Sequence, residues 1–519
     1  MNEAVIAVKS AINNGATFGI VVDQDFDGYA SSAIIARLLK KNGADIELIS
    51  SYKKVHGIKT LKDKILMDYD IDFLIIPDGG VNDYDEIRNI VSRDIDVLVL
   101  DHHLIEKPDL VNNLGSYMIS SQNPLNDQTN ENLTGAGMAE KFVIAFDGVA
   151  DSITQTLASL GQIADASDIS NIEIRGIVNR GLDNVNKHPF FKEFGIEEPV
   201  YQKDIGWTIA PIINAVSRFG TIDQRLDIVR AMTGLLDIEP SIEIEKKKKN
   251  KTTGKFDKVS LLVNEYSIIY DMCKSVKVLQ EKELKSTMKS IAWLIKPEVN
   301  NVAVAIIPND SNPALTGLIA NKLQSKYGQP VLVGRNINNS FMGSLRSPGQ
   351  FPFSTWANET GLIKASGHEQ AAGAFFDIYQ TDDIVEVSKT LDFNNHPVIV
   401  DVLFNNGINN RIINMINDNE PIYGGRVNKP LIGIKGLKIN KRDIVTKTTM
   451  IQFTYNNVQF VMYKADSIID YLKYGTGFTD SLTIDLICEV GETSWGKKMP
   501  QLSIQDIAIS LDQPDKYVF

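Results

Sequence analysis

The chain has 519 residues, 43% of them apolar, and carries 65 acidic against 53 basic side chains for a formal net charge of −12. That length accommodates three or four domains with full cores, and the acidic balance excludes a protein that coats nucleic acid indiscriminately while leaving room for a local basic groove. There is no long uncharged apolar run to span a membrane, no basic-then-apolar leader at the N-terminus, and the only cysteines, Cys273 and Cys488, lie far apart without metal-type spacing. A reducing, cytoplasmic setting is expected.

Residues 18–22 (Phe-Gly-Ile-Val-Val) read as a short buried strand. They run into Asp23-Gln24-Asp25-Phe26-Asp27-Gly28, after which residues 29–39 show helical spacing and stop at Lys40-Lys41-Asn42-Gly43. Three carboxylates on alternate residues are thus expected in a strand-to-helix loop. Like charges that close repel unless a cation holds them, and carboxylate oxygens suit Mg²⁺ or Mn²⁺. The plainer alternative for so short a motif is an Asp-rich turn or a helix cap.

The same arrangement recurs downstream. Residues 44–50 read as a second strand, nearer an edge because its acids alternate with Ile46 and Leu48. Residues 71–77 form a third that runs into Asp78-Gly79-Gly80, and 95–100 a fourth that runs into Asp101-His102-His103. From about residue 18 to 182 strands and helices alternate, which predicts an α/β domain with a parallel sheet. The carboxyl ends of such strands face the ligand crevice, so the Asp-bearing loops should converge. A His doublet beside carboxylates makes a mixed donor set that Mn²⁺ accepts readily. Asp165, after the apolar helical stretch 157–164, reads by itself as a helix-end cap.

Together, DxDxDG, Asp-Gly-Gly after a strand, Asp-His-His and the segment Gly161-Gln162-Ile163-Ala164-Asp165 resemble the four motifs of the DHH phosphoesterase superfamily, in particular its RecJ-like single-strand-specific 5′→3′ exonucleases. Asn123-Pro124 and Leu133-Thr134-Gly135-Ala136-Gly137 resemble the family's loop before the fourth motif. Residues 206–218 resemble its APxLNAxGR segment, with Ser217 in place of the usual Gly and Arg218 kept.

From about Leu226 the pattern turns helical and charged, and residues 259–293 read as one long helix behind the basic run 246–251 (Lys-Lys-Lys-Lys-Asn-Lys) with Lys255 and Lys258. That run reads equally as a solvated linker or a phosphate contact. A second α/β unit follows: strand 302–307, helix 315–323, strand 330–333. Residues 341–347 (Phe-Met-Gly-Ser-Leu-Arg-Ser) and 365–373, centred on His368, read alone as Gly-rich turns; beside the family they resemble its GSxRS and GGHxxAAG motifs, with Ser366 in place of a Gly. From about His396 short alternating β-runs, with a hairpin signal at Asn456-Asn457, suggest a small OB-like barrel, on which Trp495 beside Lys497 and Lys498 is a strand-contact candidate and equally a rim-packing residue.

The resemblance implies four regions: 1–225 a DHH catalytic domain, 226–295 a helical linker, 296–395 a DHH-associated α/β domain and 396–519 an OB-like β-barrel domain. It implies hydrolysis of single-stranded DNA with two divalent metal ions, Mn²⁺ or Mg²⁺, in repair, recombination or replication. Asp25 and Asp27 would each serve one ion, Asp78 both, His102 and Asp165 one and His103 the other; Asp23 would ligate or orient a water, and Asp101 would orient a histidine. Asn214, Arg218, Ser344, Arg346 and His368 would hold the strand. The implied partners are single-stranded DNA and a single-strand-binding protein, with no membrane and a monomeric chain. The rivals are a short-oligonucleotide or cyclic-dinucleotide phosphodiesterase, an inactive nucleic-acid-binding scaffold, and a pyrophosphatase, for which a His would be expected near Val21.

Overall fold

The structure is a computed structural model that describes residues 1–51, 56–111, 114–123, 130–249, 256–297, 299–348, 351–391, 398–425, 427–475, 480–493 and 499–510. The first unit runs α1 (Asn2–Asn13), β1 (Thr17–Val21), α2 (Phe26–Lys41), β2 (Asp45–Ile49), α3 (Lys62–Asp68), β3 (Phe73–Pro77), α4 (Tyr84–Val91), β4 (Asp96–Asp101), α5 (Pro108–Val111), β5 (Tyr117–Ser120), α6 (Gly135–Asp147) and α7 (Ser152–Ala164). Its five strands pair in the order β2-β1-β3-β4-β5, parallel throughout. β1, β3 and β4 are continuous apolar runs because both faces are covered. Phe18, Ile20, Phe73, Ile75, Leu98 and Leu100 pack on one side with α2 and α6, while Val21, Leu74, Ile76, Val97 and Val99 pack on the other with α3 and α4. β2, with its alternating acids, is the expected edge strand. The direction of strand progression reverses between β1 and β3, which opens a crevice at their carboxyl ends.

One boundary differs from expectation. α2 begins at Phe26 with Asp25 as its N-cap, accepting from the Gly28 N–H at 3.2 Å. Asp27 and Gly28 therefore lie in the first helical turn rather than in a loop, because the Asp25 carboxylate satisfies an amide that the first turn would otherwise leave unpaired.

The region 226–295 is not wholly helical. Strands Ile242–Lys249 and Phe256–Val263 form an antiparallel hairpin, and the linker helix spans Glu265–Lys289 rather than 259–293. Val259, Leu261 and Val263 alternate, which suits a strand once Ile242 and Ile244 supply a partner; Trp293 belongs to a further strand, Ala292–Ile295. The lysines 246–249 thus lie on a strand, and Lys251 and Lys255 lie outside the described residues.

Beyond the linker helix a six-stranded mixed sheet follows the order Lys364–His368, Ala371–Asp377, Ser340–Arg346, Val331–Ile337, Ala303–Ile306, Ala292–Ile295. The two stretches expected as Gly-rich turns are strands in it. Helix Leu315–Tyr327 covers the Ala303–Ile306 and Val331–Ile337 half of one face, through Leu315, Ile319 and Leu323. The C-terminal region is a seven-stranded sheet, from Val402–Asn405 at one edge to Val445–Lys447 at the other. Among the described residues no pairing joins those two edges, so the hydrogen-bonded order is open. Asn456 and Asn457, at φ +48° and +62°, make the expected hairpin turn. Trp495, Lys497 and Lys498 lie outside the described residues. No described helix is long and apolar enough to cross a membrane.

Behind the crevice, α6 buries Glu140, which is 2% exposed and 3.7 Å from Arg180. Burial pushes its carboxyl up to about 7, which the Arg180 charge does not fully offset. A raised acid pKa weakens the fold as pH climbs from the unfolded value through the folded one. Glu140→Gln should therefore match the parent near pH 4.5 and exceed it in urea unfolding at pH 8 by about 3 kcal/mol; a pH-independent difference would contradict this.

Candidate active site: an acidic crevice between two lobes

Three sheet ends deliver the acidic groups. The segment after β1 brings Asp23, Asp25 and Asp27; the turn after β3 brings Asp78; the end of β4 brings Asp101, His102 and His103. Asp165 arrives separately as the C-cap of α7. His102 Nε2 lies 3.1 Å from Asp78 Oδ1 and 4.0 Å from Asp27 Oδ2, while its Nδ1 is 4.0 Å from Asp165 Oδ2. Asp78, His102 and His103 offer donor atoms within 4.8 Å of one another, and so do Asp23, Asp25 and His56.

The electrostatics follow from this crowding. Burial, followed by the charges of Asp27, Asp25, Asp23 and Asp101, drives Asp78 well above the carboxylate range. Burial also raises Asp27, with His102 opposing and Asp25 adding, and lifts Asp165 to about 6 with Asp27 behind it. Asp101 goes the other way: burial would raise it, but the His103 hydrogen bond and nearby histidine charges outweigh that and leave it at about 2. The same hydrogen bond, against burial, raises His103 to about 9. A buried carboxylate set that resists full ionisation is a fitting receptor for divalent cations, whose charge restores the ionised form.

Local packing fixes each group. Asp101 Oδ1 accepts from the amides of His102 (2.6 Å) and His103 (3.1 Å) and contacts His103 Nδ1 at 2.7 Å, while Oδ2 accepts from the Val81 amide at 2.9 Å. Asp101 therefore shapes the His-His turn and fixes the His103 ring. Asp27 is met by the N-terminus of α6: Thr134 Oγ1 donates at 2.8 Å, Gly135 N–H at 2.7 Å and Ala136 N–H at 3.1 Å. Free amides and the positive helix end favour an anion there. Glycine makes this approach feasible: a Cβ on Gly135 would sit 2.5 Å from Asp78 Cβ, and one on Gly161 would sit 2.3 Å from Asp27 Oδ1. Asp78 itself adopts φ +64°, a left-handed conformation sparse for a non-glycine residue.

The second lobe supplies cations. In its sheet, Arg346 is registered with Ala371 and Ala371 with His368, while Ser344 is registered with Gly373 and Gly373 with Ser366. Directly opposed residues project to one side, so Ser344, Arg346, Ser366 and His368 share a face with only small residues between them. Ser344 Oγ meets Thr316 Oγ1 at 2.8 Å, and a Cβ on Gly317 would sit 2.9 Å from the Arg346 guanidinium. A cavity of about 600 Å³ joins the lobes, lined by His102, His103, Asp165 and His368 together with Gln122 and Asn132. Asp25 lies near enough to the Arg218 guanidinium to act on its charge, and desolvation lowers the Arg346 guanidinium pKa, with the Arg218 charge adding to it. Ser217, which stands where the family usually has Gly, donates its buried hydroxyl to Gln24 O at 2.5 Å, tying the Arg218 helix (Ala210–Phe219) to the acidic segment. Asn214 lies one turn before Arg218, half-buried.

The crevice thus gathers the seven acidic and histidine ligand candidates, with Arg218, Arg346 and His368 facing them. Asp27 and Asp165 stand outside the two tightest donor groups, Asp27 because α6 engages its carboxylate. Sequence reasoning missed His56, whose Nδ1 is 3.0 Å from Asp23 Oδ2 and whose ring centroid is 5.2 Å from that of His103. It also missed Thr134 as a donor to Asp27. The available signal was scarcity: four of the chain's six histidines (His56, His102, His103 and His368) meet around this crevice.

Residues 17–164 match the model of the DHH family, N-terminal domain. The chain carries that domain and is homologous to the RecJ single-stranded-DNA-specific exonucleases. It is 29% identical over 549 aligned positions, covering 98% of this chain and 90% of the relative, to a Bacillus subtilis (strain 168) protein named "Putative SPbeta prophage-derived single-strand DNA-specific exonuclease YorK". It is 21% identical to the single-stranded-DNA-specific exonuclease RecJ of the same organism, covering 98% of this chain and 63% of that one. The crystal structure of RecJ in complex with Mn²⁺ from Thermus thermophilus superposes with TM-score 0.72 at 17% identity, over 99% of this chain and 72% of that one.

Gly135→Ala should disturb the contact that seats Asp27 and Asp78. The expected result is at least tenfold weaker Mn²⁺ binding by calorimetry, with a loss of stability of about 1–3 kcal/mol from overpacking. Parental metal affinity in this variant would show that the carboxylates do not depend on the α6 approach.

Proposed function

We propose that this chain hydrolyses the phosphodiester backbone of single-stranded DNA from the 5′ end, using two divalent metal ions, Mn²⁺ or Mg²⁺. The observation that carries the reading is the meeting of an acidic floor (Asp23, Asp25, Asp27, Asp78, His102, His103, Asp165) with a cationic wall (Arg218, Arg346, His368) across one crevice. The donor chemistry fits the ions: hard carboxylates plus imidazole around one crevice, with Asp23, Asp27 and Asp78 buried. In this reading Asp25 and Asp27 would each serve one ion and Asp78 both, with His102 and Asp165 completing one set, His103 the other, and Asp23 ligating or orienting a water. Bound divalent ions supply an activated water and neutralise charge on the leaving oxygen.

The rest is the work of the chain's own groups. Asp101 holds His103 in place through its ring nitrogen. Arg218 and Arg346 grip phosphate oxygens as planar forks, and Ser344 and His368 complete that wall. Small residues at Gly373 and Ala371 let a sugar-phosphate backbone lie close to the sheet. A crevice walled by both lobes takes one strand and rejects a duplex, which gives strand selectivity without reading bases. The C-terminal sheet takes the OB-like strand-binding role, and a single-strand-binding protein is the natural donor of substrate.

The test is digestion of one oligonucleotide labelled at either end, as single strand and as duplex, with Mn²⁺ and with chelator. Mononucleotides released only from the 5′ end of the single strand, and only with metal, are the expected result. Attack confined to fragments of a few nucleotides would favour the short-oligonucleotide reading, and metal binding without cleavage the scaffold. Asp78→Ala should lower turnover by at least 10³-fold, the scale of a lost electrostatic stabiliser, with its thermal unfolding unchanged or raised; near-parental turnover would refute the site.

A further inference from the structure

The helix Ala210–Phe219 opens on a wide π-type turn, Ile205–Ile209. Trp207, Pro211, Asn214 and Arg218 recur along the two at i, i+4, i+7 and i+11, so they lie on one face. Burial agrees. Ile205, Ile209, Ile213, Val216 and Ser217 are buried on the other side, Pro211 and Asn214 are half-exposed, and Arg218 is exposed. Trp207 is 84% exposed and is the only exposed tryptophan among the described residues. A wide turn inserted in a helix displaces side chains from the regular helical path and is frequent at functional sites.

The two ends of this stripe have different surroundings. Arg218 lies by Asp25 and Arg346, and its carbonyl accepts from Asn312 Nδ2 of the second lobe at 3.4 Å. Trp207 lies three turns away, about 16 Å at the helical rise, a span of a few nucleotides of extended strand. The segment just before it adjoins the C-terminal region: Lys203 pairs with Glu420 at 2.9 Å, and a Cβ on Gly424 would sit 2.2 Å from the Gln202 side chain. The stripe therefore leads from the phosphate-holding arginines toward the C-terminal sheet.

We propose that Trp207 is a base-stacking platform for single-stranded nucleic acid several nucleotides from the scissile bond, on a track that runs from Arg218 past Asn214. An exposed indole offers a flat π-face that accepts any base, which suits a strand bound without sequence readout. An aromatic platform in line with a guanidinium matches the alternation of base and phosphate along a strand. This inference rests on the nuclease reading of the crevice and adds a binding subsite outside it.

The experiment compares an eight-nucleotide with a two-nucleotide single strand, both fluorescein-labelled, in the Asp78→Ala background so that the probe stays whole. Only the longer strand reaches Trp207. Trp207→Ala should reduce the ratio of the two affinities about tenfold, the order expected for one lost base–aromatic stack, and Trp207→Phe should restore most of it. The side chain is solvent-exposed, so its removal opens no cavity, and circular dichroism should be unchanged. An affinity ratio equal to the parent's in Trp207→Ala would overturn this subsite and leave the nuclease reading standing. Absence of binding to either strand by the parent would overturn both. Dissociation of an oligomer by Trp207→Ala, with strand affinity kept, would assign the indole to a contact between copies and overturn the proposal.

Discussion

Mutual repulsion among carboxylates buried at the end of a parallel sheet is the constraint on which the rest of this structure depends. Asp23, Asp27, Asp78 and Asp101 are all nearly inaccessible and face one crevice. All four are offset, each in its own way: His56 stands against Asp23. Asp101 takes three amides and an imidazole, Asp27 takes the amino end of α6, and Asp78 has His102. The glycines at 28, 135 and 161 follow from the same constraint, because side chains there would collide with the aspartates or displace the helices that offset them. What these devices leave uncompensated is the charge that a divalent cation would supply.

The chain's charge is divided to match. A net charge of −12 does not describe the crevice, which is not uniformly acidic. Its floor comes from the first lobe, and its wall, with Arg346 and His368, comes from the second. Arg218 belongs to the first lobe in sequence yet stands by Arg346, because Ser217 anchors its helix to the acidic segment and Asn312 reaches its carbonyl from the other side. The cationic groups of the crevice are thus assembled from both lobes.

Much of this was legible one residue at a time. The runs 18–22, 71–77 and 95–100 announce buried strands because a sheet covered on both faces needs uninterrupted apolar side chains, and each is followed by the aspartate its loop carries. The Asn456-Asn457 turn was legible because few other residues tolerate φ > 0 twice in succession. The stretch 259–263 was not, since three apolar residues at even spacing fit either a strand or a helix until a partner is known, and the partner, Ile242–Lys249, carries lysines that mimic a linker.

The amino-acid sequence by itself determined the chemistry available to this protein: the parallel α/β class, the DxDxDG, Asp78 and Asp-His-His donors, and the Arg and His of the second lobe, because residue type and local period depend on near neighbours alone. Only the tertiary structure decided which of these groups meet. That His56 stands against Asp23 and that Thr134 and α6 engage Asp27 are consequences of chain segments brought together across the sheet, and that Trp207 projects into solvent depends on nothing packing over it. Such contacts join residues distant in sequence or turn on what lies over a surface, and local pattern carries no record of either.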